Sequence, residues 1–238
     1  DLEPLTRCYE SSSGDGANEI RFNALRCVAK FGGDGARALL MKGLSDASPF
    51  VRRVAREELL KLDPKAKEAL DGVVYEARPE PLEALALPTY TTNPIVDVVT
   101  NRGTMRFELF PEEAPVHVAS FLALVAADHY DGTGWHRVVP DFVIQGGDYR
   151  GDGNGGGTWK GRDLSLRHEI TPRKYVRGSL GMPRNEDVDS GGSQIFVTHR
   201  ATPHLDGRYT IFGELREGFE VLDAIEVGDK IVDVVRVR

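Results

Sequence analysis

The side chains able to do covalent or metal chemistry are few and poorly spaced for it. The six histidines, His117, His129, His136, His168, His199 and His204, form no HExxH pair, and neither Cys8 nor Cys27 joins them at metal-ligand spacing, so no zinc site is expected. Gly151-x-Gly153-x-x-Gly156 has the spelling of a dinucleotide loop, but that loop must open a helix inside a βαβ unit. Trp159-Lys160-Gly161-Arg162 is no helix start, and residues 151–157 read instead as a conformational loop. Asp152, Asn154 and Asp163 echo a calcium loop, without helical flanks and without the closing glutamate. Ser193 lacks the GxSxG setting of a nucleophile elbow.

One constellation is far more specific. Residues 135–148 read WHRVVPDFVIQGGD, residues 192–198 read GSQIFVT, and residues 203–213 read PHLDGRYTIFG. In this order and at these gaps the blocks resemble the cyclophilin family of peptidyl-prolyl cis–trans isomerases, over a stretch from about Pro94 to the C-terminus. The resemblance implies a closed barrel of eight antiparallel strands with two capping helices. It implies no cofactor and no metal, and proline-containing client polypeptides as partners. It puts Arg137 at the family's catalytic arginine. Phe142 and Val143 stand at the Phe-Met pair of the proline pocket, with Val replacing Met, and Gln145 is the pocket glutamine. Gly153 matches a glycine of the loop beside the site. Pro183 and Arg184 fall at the peptide-binding edge, Pro183 where the family has Ala. Gln194, Phe196, Leu205 and Tyr209 complete the pocket, and His204 holds a position that is Trp in many eukaryotic members and often His in bacterial ones. Family members bind cyclosporin in the same pocket.

These residue types suit the reaction the resemblance implies. Turning an X–Pro bond breaks amide resonance, a barrier of about 18–20 kcal/mol. At the twisted transition state the prolyl nitrogen becomes pyramidal and regains a lone pair. A fixed guanidinium can donate to that lone pair and finds no such acceptor in the planar ground state, which is differential binding by preorganised charge. Arginine stays charged and planar in that role. Phe142, Val143, Phe196 and Leu205 can bury the pyrrolidine ring, while Gln145 and backbone near Arg184 hold the flanking peptide. The departures at Val143, Pro183 and His204 leave an alternative open, a module that captures proline segments with little turnover.

The elements that must position these residues are readable from period and punctuation. Ile95–Val99 and Thr104–Phe110 alternate around Asn101-Arg102-Gly103, the pattern of a β-hairpin. Val118, Phe121, Leu122 and Val125 recur at helical spacing within 114–128. Short β runs follow at 135–139, 142–146, 178–182, 194–199 and 209–215, then a short helix near 218–225 and a last strand over 231–237. Many short strands with two helices predict a small antiparallel barrel with helices over its ends.

The first third has a different period. Residues 21–39 and 52–70 match at an offset of 31, pairing Ala24 with Ala55, Val28 with Leu59, Phe31 with Leu62 and Leu39 with Leu70; the same offset puts Val51 on Ile20 and Arg52 on Arg21. Ser48 before Pro49 is an N-cap followed by a first-turn proline, and glycines at 14, 16, 32, 33 and 35 mark breaks. LSDASPFVRRVAREELLKL resembles a short bacterial HEAT repeat. The expected organisation is therefore multidomain: residues 1–77 as an all-α HEAT-like segment of about five helices, 78–93 as a Pro-rich linker, and 94–238 as the mainly-β cyclophilin-like domain. The repeats offer a surface for a protein partner, and a monomer is expected. Cys8 falls on the core position Leu39 under the offset, so a buried thiol is expected there, unpaired with Cys27. The chain starts at Asp1, so further repeats upstream are expected, as is the place of any signal peptide. A net charge of −7 with no basic half argues against a nucleic-acid footprint. No apolar run is long enough to span a bilayer.

Overall fold

Helix breakers and caps shape the first part of the chain. In the computed structural model, which describes residues 2–12, 17–67, 70, 87–156, 158–159, 162–163 and 165–238, the chain divides into two units, Asp1–Leu85 and Ala86–Arg238. The first unit holds α1 (Glu3–Ser11), α2 (Asn18–Phe31), α3 (Gly33–Gly43) and α4 (Pro49–Leu62), followed by a 3-10 turn, Pro64–Ala66. Gly32 (φ 67°) and Gly33 (φ 79°) turn α2 into α3 through a left-handed corner that suits glycine. Ser48 caps α4, its hydroxyl accepting from Val51 N at 3.4 Å, with Pro49 in the first turn. The expected break at Gly14 and Gly16, and the linker up to residue 86, lie outside the described residues.

The 31-residue offset holds where the helices face one another. Ala24 and Ala55, Val28 and Leu59, and Leu39 and Leu70 are all buried. It fails on the outer face: Ile20 is exposed where Val51 is fully buried, and Phe31 is exposed where Leu62 is half-buried. Cys8 is also exposed, contrary to expectation, and Cys27 with it; both are free thiols. No described helix packs over that face of α1 and α2, so burial does not follow the sequence register there. Between the helices Arg21 and Asp46 form a buried ion pair at 3.0 Å. Tyr9 Oη donates to the same carboxylate at 2.8 Å, and Ser48 N does so at 2.8 Å. Such partners offset the desolvation of a buried charge.

In the second unit the period-two segments pair as expected. Its strands are β1 (Ile95–Thr100), β2 (Gly103–Leu109), β3 (Gly134–Val139), β4 (Val143–Asp148), β5 (Thr158–Trp159), β6 (Arg162–Asp163), β7 (Ser179–Gly181), β8 (Ile195–Thr198), β9 (Ile211–Glu217) and β10 (Ile231–Arg236). Eight make one antiparallel sheet in the order β10-β1-β2-β9-β7-β8-β4-β3, while β5 and β6 form a separate ribbon. The sheet curls, and its two ends meet where residues 132–135 exchange backbone hydrogen bonds with residues 228–231, around a bridge of Gly134 with Lys230. Two helices accompany it, α5 (Pro115–Val125) and α6 (Phe219–Ala224). None of the described helices is long and apolar enough to cross a membrane.

The sheet and α5 enclose a core that includes Phe107, Phe121, Trp135, Ile144 and Phe212. The N-terminus of α5 has no local cap. Glu169 supplies one from across the unit, accepting from Val116 N at 3.0 Å and His117 N at 2.9 Å, with His117 Nδ1 at 2.5 Å. Those bonds hold the Glu169 carboxyl below the usual range despite its burial.

Candidate active site

A second apolar cluster lies apart from that core. Phe110, Val143, Tyr175, Phe196, Leu205 and Ile211 are buried in it, with Phe142 and Tyr209 partly covered against it. Strand order explains the assembly. β4 lies beside β8 with Gln145 opposite Phe196, and β8 lies beside β7 with Phe196 opposite Gly181. Phe196 is therefore flanked by strands on both sides. Its ring stacks on Tyr175 at 5.6 Å and 19° and meets Tyr209 edge-on at 6.0 Å. Gly181 is required here, because a β-carbon would collide with the edge of Phe196 and with Tyr175 Oη.

The β3–β4 turn brings the cation to the rim of this cluster. Phe142 N donates to Val139 O at 3.0 Å, closing a turn with Pro140 and Asp141 at its centre. Asp141 has φ 58°, a left-handed value that glycine takes at lower cost. The hairpin register sets Arg137 opposite Gln145. The exposed Arg137 guanidinium carbon lies 5.7 Å from the Phe142 ring centroid, and its Nη1 donates to Gln145 Oε1 at 3.4 Å. Gln145 Nε2 donates to Gln194 Oε1 at 2.9 Å. Gln194 Nε2 in turn donates to Gly153 O and Gly155 O, each at 2.9 Å. Gly153, at φ 84°, sits in the glycine-rich loop that follows β4.

The other wall comes from the segments flanking β9. A 3-10 turn, Pro203–Leu205, buries Leu205 and leaves His204 exposed, stacked on Phe142 at 5.3 Å and 27°. Arg184 lies 4.9 Å above the Tyr209 ring and donates to Arg208 O at 3.0 Å and Asn185 O at 2.8 Å. Pro183 is half-buried on the strand exit from β7, next to Arg184.

The structure thus brings Arg137, Phe142, Val143, Gln145, Gly153, Arg184, Gln194, Phe196, His204, Leu205 and Tyr209 into one connected region, with Pro183 beside them. Sequence reasoning missed Phe110, Tyr175 and Ile211, which supply the back of the apolar cluster. Tyr175 Oη donates to Thr210 O at 3.2 Å, and burial pushes its phenol well above the usual range, so it acts as a neutral donor. Arg173 lies 3.5 Å from the Phe110 centroid and pairs with Glu113 at 2.7 Å, supporting that wall from outside. An alternating β signal at 109–110 and 211 was present in the sequence; nothing local marks Tyr175.

His136, next to Arg137, has both ring nitrogens buried without a hydrogen-bond partner, and burial lowers its pKa, so it is neutral beside the cation. The arrangement offers an apolar recess, a charged planar donor at its rim and amide groups along one side. Such a site can bind an apolar ring and stabilise a developing lone pair without covalent chemistry.

Comparison with known proteins agrees with this geometry. A family model described as cyclophilin type peptidyl-prolyl cis-trans isomerase/CLD matches residues 95–237. Peptidyl-prolyl cis-trans isomerase CYP18-1 of Arabidopsis thaliana is 43% identical over 131 residues, covering 55% of this chain and 81% of the relative. A peptidyl-prolyl cis-trans isomerase of Helicobacter pylori is 40% identical over 155 residues, covering 64% of this chain and 90% of the relative. Among solved structures, a cyclophilin type peptidyl-prolyl cis-trans isomerase of Cryptosporidium parvum, crystallised in the presence of the dipeptide Ala-Pro, aligns with a TM-score of 0.56 and 35% identity over 60% of this chain and 99% of that one.

Proposed function

This chain belongs to the cyclophilin-type peptidyl-prolyl cis–trans isomerase family, and from that premise we propose that Arg137 is its catalytic residue. The chain is a peptidyl-prolyl cis–trans isomerase, and its substrates are proline-containing polypeptides. The pyrrolidine ring enters the recess formed by Phe142, Val143, Phe196 and Leu205. The twisted prolyl nitrogen then accepts from the Arg137 guanidinium. Gln145, Gln194 and the backbone beside Pro183 and Arg184 hold the flanking peptide so that one side of the bond turns against the other, and Gly153, His204 and Tyr209 line the groove. The observation that carries this reading is the apolar cluster separate from the main core, with Arg137 poised 5.7 Å from the Phe142 ring at its rim.

The test is cis-to-trans turnover of a short proline peptide by Arg137→Ala. Removing one preorganised donor costs on the order of 10²–10³ in rate where such donors have been deleted, and a loss in that direction with unchanged circular dichroism is expected. Equal turnover by the variant would refute the role. The same assay on the unmodified chain, with Val143, Pro183 and His204 in place, measures how much turnover those departures leave.

We read the first unit as a run of HEAT-like repeats that offers a second contact to large clients. Its support is the matched burial of Ala24 with Ala55, Val28 with Leu59 and Leu39 with Leu70 at one offset, together with the exposed Ile20, Phe31 and Met41. The full eight-stranded barrel belongs to this reading too, with the Gly134–Lys230 bridge as its closure.

A further inference from the structure

We propose that Asp148, a buried carboxylate outside the groove, is the positioning residue that sets the direction of the hydrogen-bond relay ending at Arg137. The inference rests on the reading of Arg137 as catalytic. Asp148 is 1% exposed at the end of β4. Its Oδ1 accepts from Arg150 N at 2.9 Å and its Oδ2 from Gly153 N at 2.6 Å. The loop folds so closely over it that a β-carbon on Gly155 would collide with Asp148 Oδ1. The carboxylate thereby holds the Asp152–Gly153 peptide unit, next to the one that carries Gly153 O, and the close approach of Gly155 seats the second carbonyl, Gly155 O; both carbonyls face Gln194.

Those carbonyls decide every later orientation. A carbonyl only accepts, so Gln194 must present its amide nitrogen to the loop and its oxygen to Gln145. That oxygen in turn requires the Gln145 nitrogen, which leaves Gln145 Oε1 facing the guanidinium, an all-donor group. A flip of Gln145 would set a donor against Arg137 and turn the guanidinium away from the Phe142 face; a flip of Gln194 would set a donor against Gln145 Nε2 and so force that flip. Because the two glutamines are symmetric in shape, packing alone does not distinguish the two directions. The loop does, and Asp148 fixes the loop.

Asp148→Asn keeps the volume but offers one acceptor oxygen where two backbone N–H groups need acceptors, so the loop must move. The experiment measures kcat and KM on a proline tetrapeptide for the full chain, Asp148→Asn, Arg137→Ala and the double variant, with the Nε–Hε signal of Arg137 followed by NMR. The expected result is a roughly tenfold fall in kcat with KM nearly unchanged, a broadened or shifted Arg137 signal, and less than a twofold further effect of Asp148→Asn when Arg137 is already Ala. An equal fall in both backgrounds, or no fall from Asp148→Asn in the chain that keeps Arg137, overturns the relay. Full activity of Arg137→Ala alone overturns the catalytic reading instead, which separates the two failures. Should Asp148→Asn not fold, Gly155→Ala pushes the loop off the same carboxylate and must show the same dependence on Arg137.

Discussion

Adding one methyl group at Gly181 should damage the site more than the fold. Gly181 lies on β7 opposite Phe196, and its missing β-carbon is what lets the Phe196 ring and Tyr175 Oη approach the backbone. Phe196 is 5% exposed and has Tyr175 stacked at 5.6 Å and Tyr209 edge-on at 6.0 Å, so it has little room to retreat. Overpacking of this kind costs about 1–3 kcal/mol. For a unit of this size, 1 kcal/mol moves the melting temperature by about 2–4 °C, so Gly181→Ala should lower it by roughly 2–12 °C. The contact falls at the tip and edge of the ring, and the open direction leads into the recess. We therefore expect Phe196 to tilt into the space the pyrrolidine ring needs, with at least a tenfold loss in kcat/KM, equivalent to about 1.4 kcal/mol. The assay pairs thermal unfolding with peptide turnover. A second substitution separates the causes: Phe196→Leu in the Gly181→Ala background removes the collision with the ring, though not that with Tyr175 Oη, and should restore part of the melting temperature without restoring turnover. If Gly181→Ala melts and turns over like the parent chain, the tight strand-to-ring contact is not what shapes the recess.

Three further outcomes follow from the geometry. His204 is exposed and stacked on Phe142, so it covers less apolar area than an indole would; at ~25 cal/mol per Å2, a difference of about 40–60 Å2 is about 1–1.5 kcal/mol, so His204→Trp should tighten cyclosporin nearly tenfold in a titration while changing turnover little, and nanomolar inhibition of the unmutated chain would contradict this. Burial lowers the pKa of His129, His136 and His168. The unfolded chain then binds more protons than the native one as pH falls below about 6.5, so their contribution is present above that pH and is lost on acidification; melting temperature should fall from pH 7.5 towards 5.5, and a rise over that interval would refute the sign. A chain of residues 94–238 should fold alone and turn over a tetrapeptide at the full-length rate, with any advantage of the longer chain confined to large clients; slow tetrapeptide turnover by the shorter chain would count against independent units.

Much of this was legible in the sequence for an identifiable reason. Arg137, Phe142 and Gln145 sit within one hairpin, so local spacing fixes their juxtaposition. Gln194 and Phe196 stand two residues apart, Gln194 just before β8 and Phe196 within it; pairing of β8 with β4 sets Phe196 opposite Gln145, and Gln194 then bonds the Gln145 amide. What sequence could not supply is long-range. Tyr175 reaches Phe196 from a segment without a regular period, and Glu169 caps a helix whose own first turn lacks a capping side chain. Cys8 shows the converse error. The repeat register set it on the buried Leu39, but burial depends on which helix lies over a position, and none of the described helices covers Cys8. Strand ends moved by one or two residues, as at β9, which begins at Ile211 and leaves Tyr209 to the groove.

The order of strands has a consequence for biosynthesis. β1, the first strand of the second unit, pairs on one side with β2 and on the other with β10, the last. A nascent chain that has already made the recess, from Arg137 to Tyr209, still has β1 open along one edge until residues 231–236 emerge. The same is true at the other end of the sheet, where Gly134 waits for Lys230. Closure thus waits for residues 231–236, and until they arrive the open edge of β1 is a pairing template for any extended segment nearby. An enzyme that acts on the slow isomerisation of other chains would in its own folding depend on the arrival of the last strand of this unit.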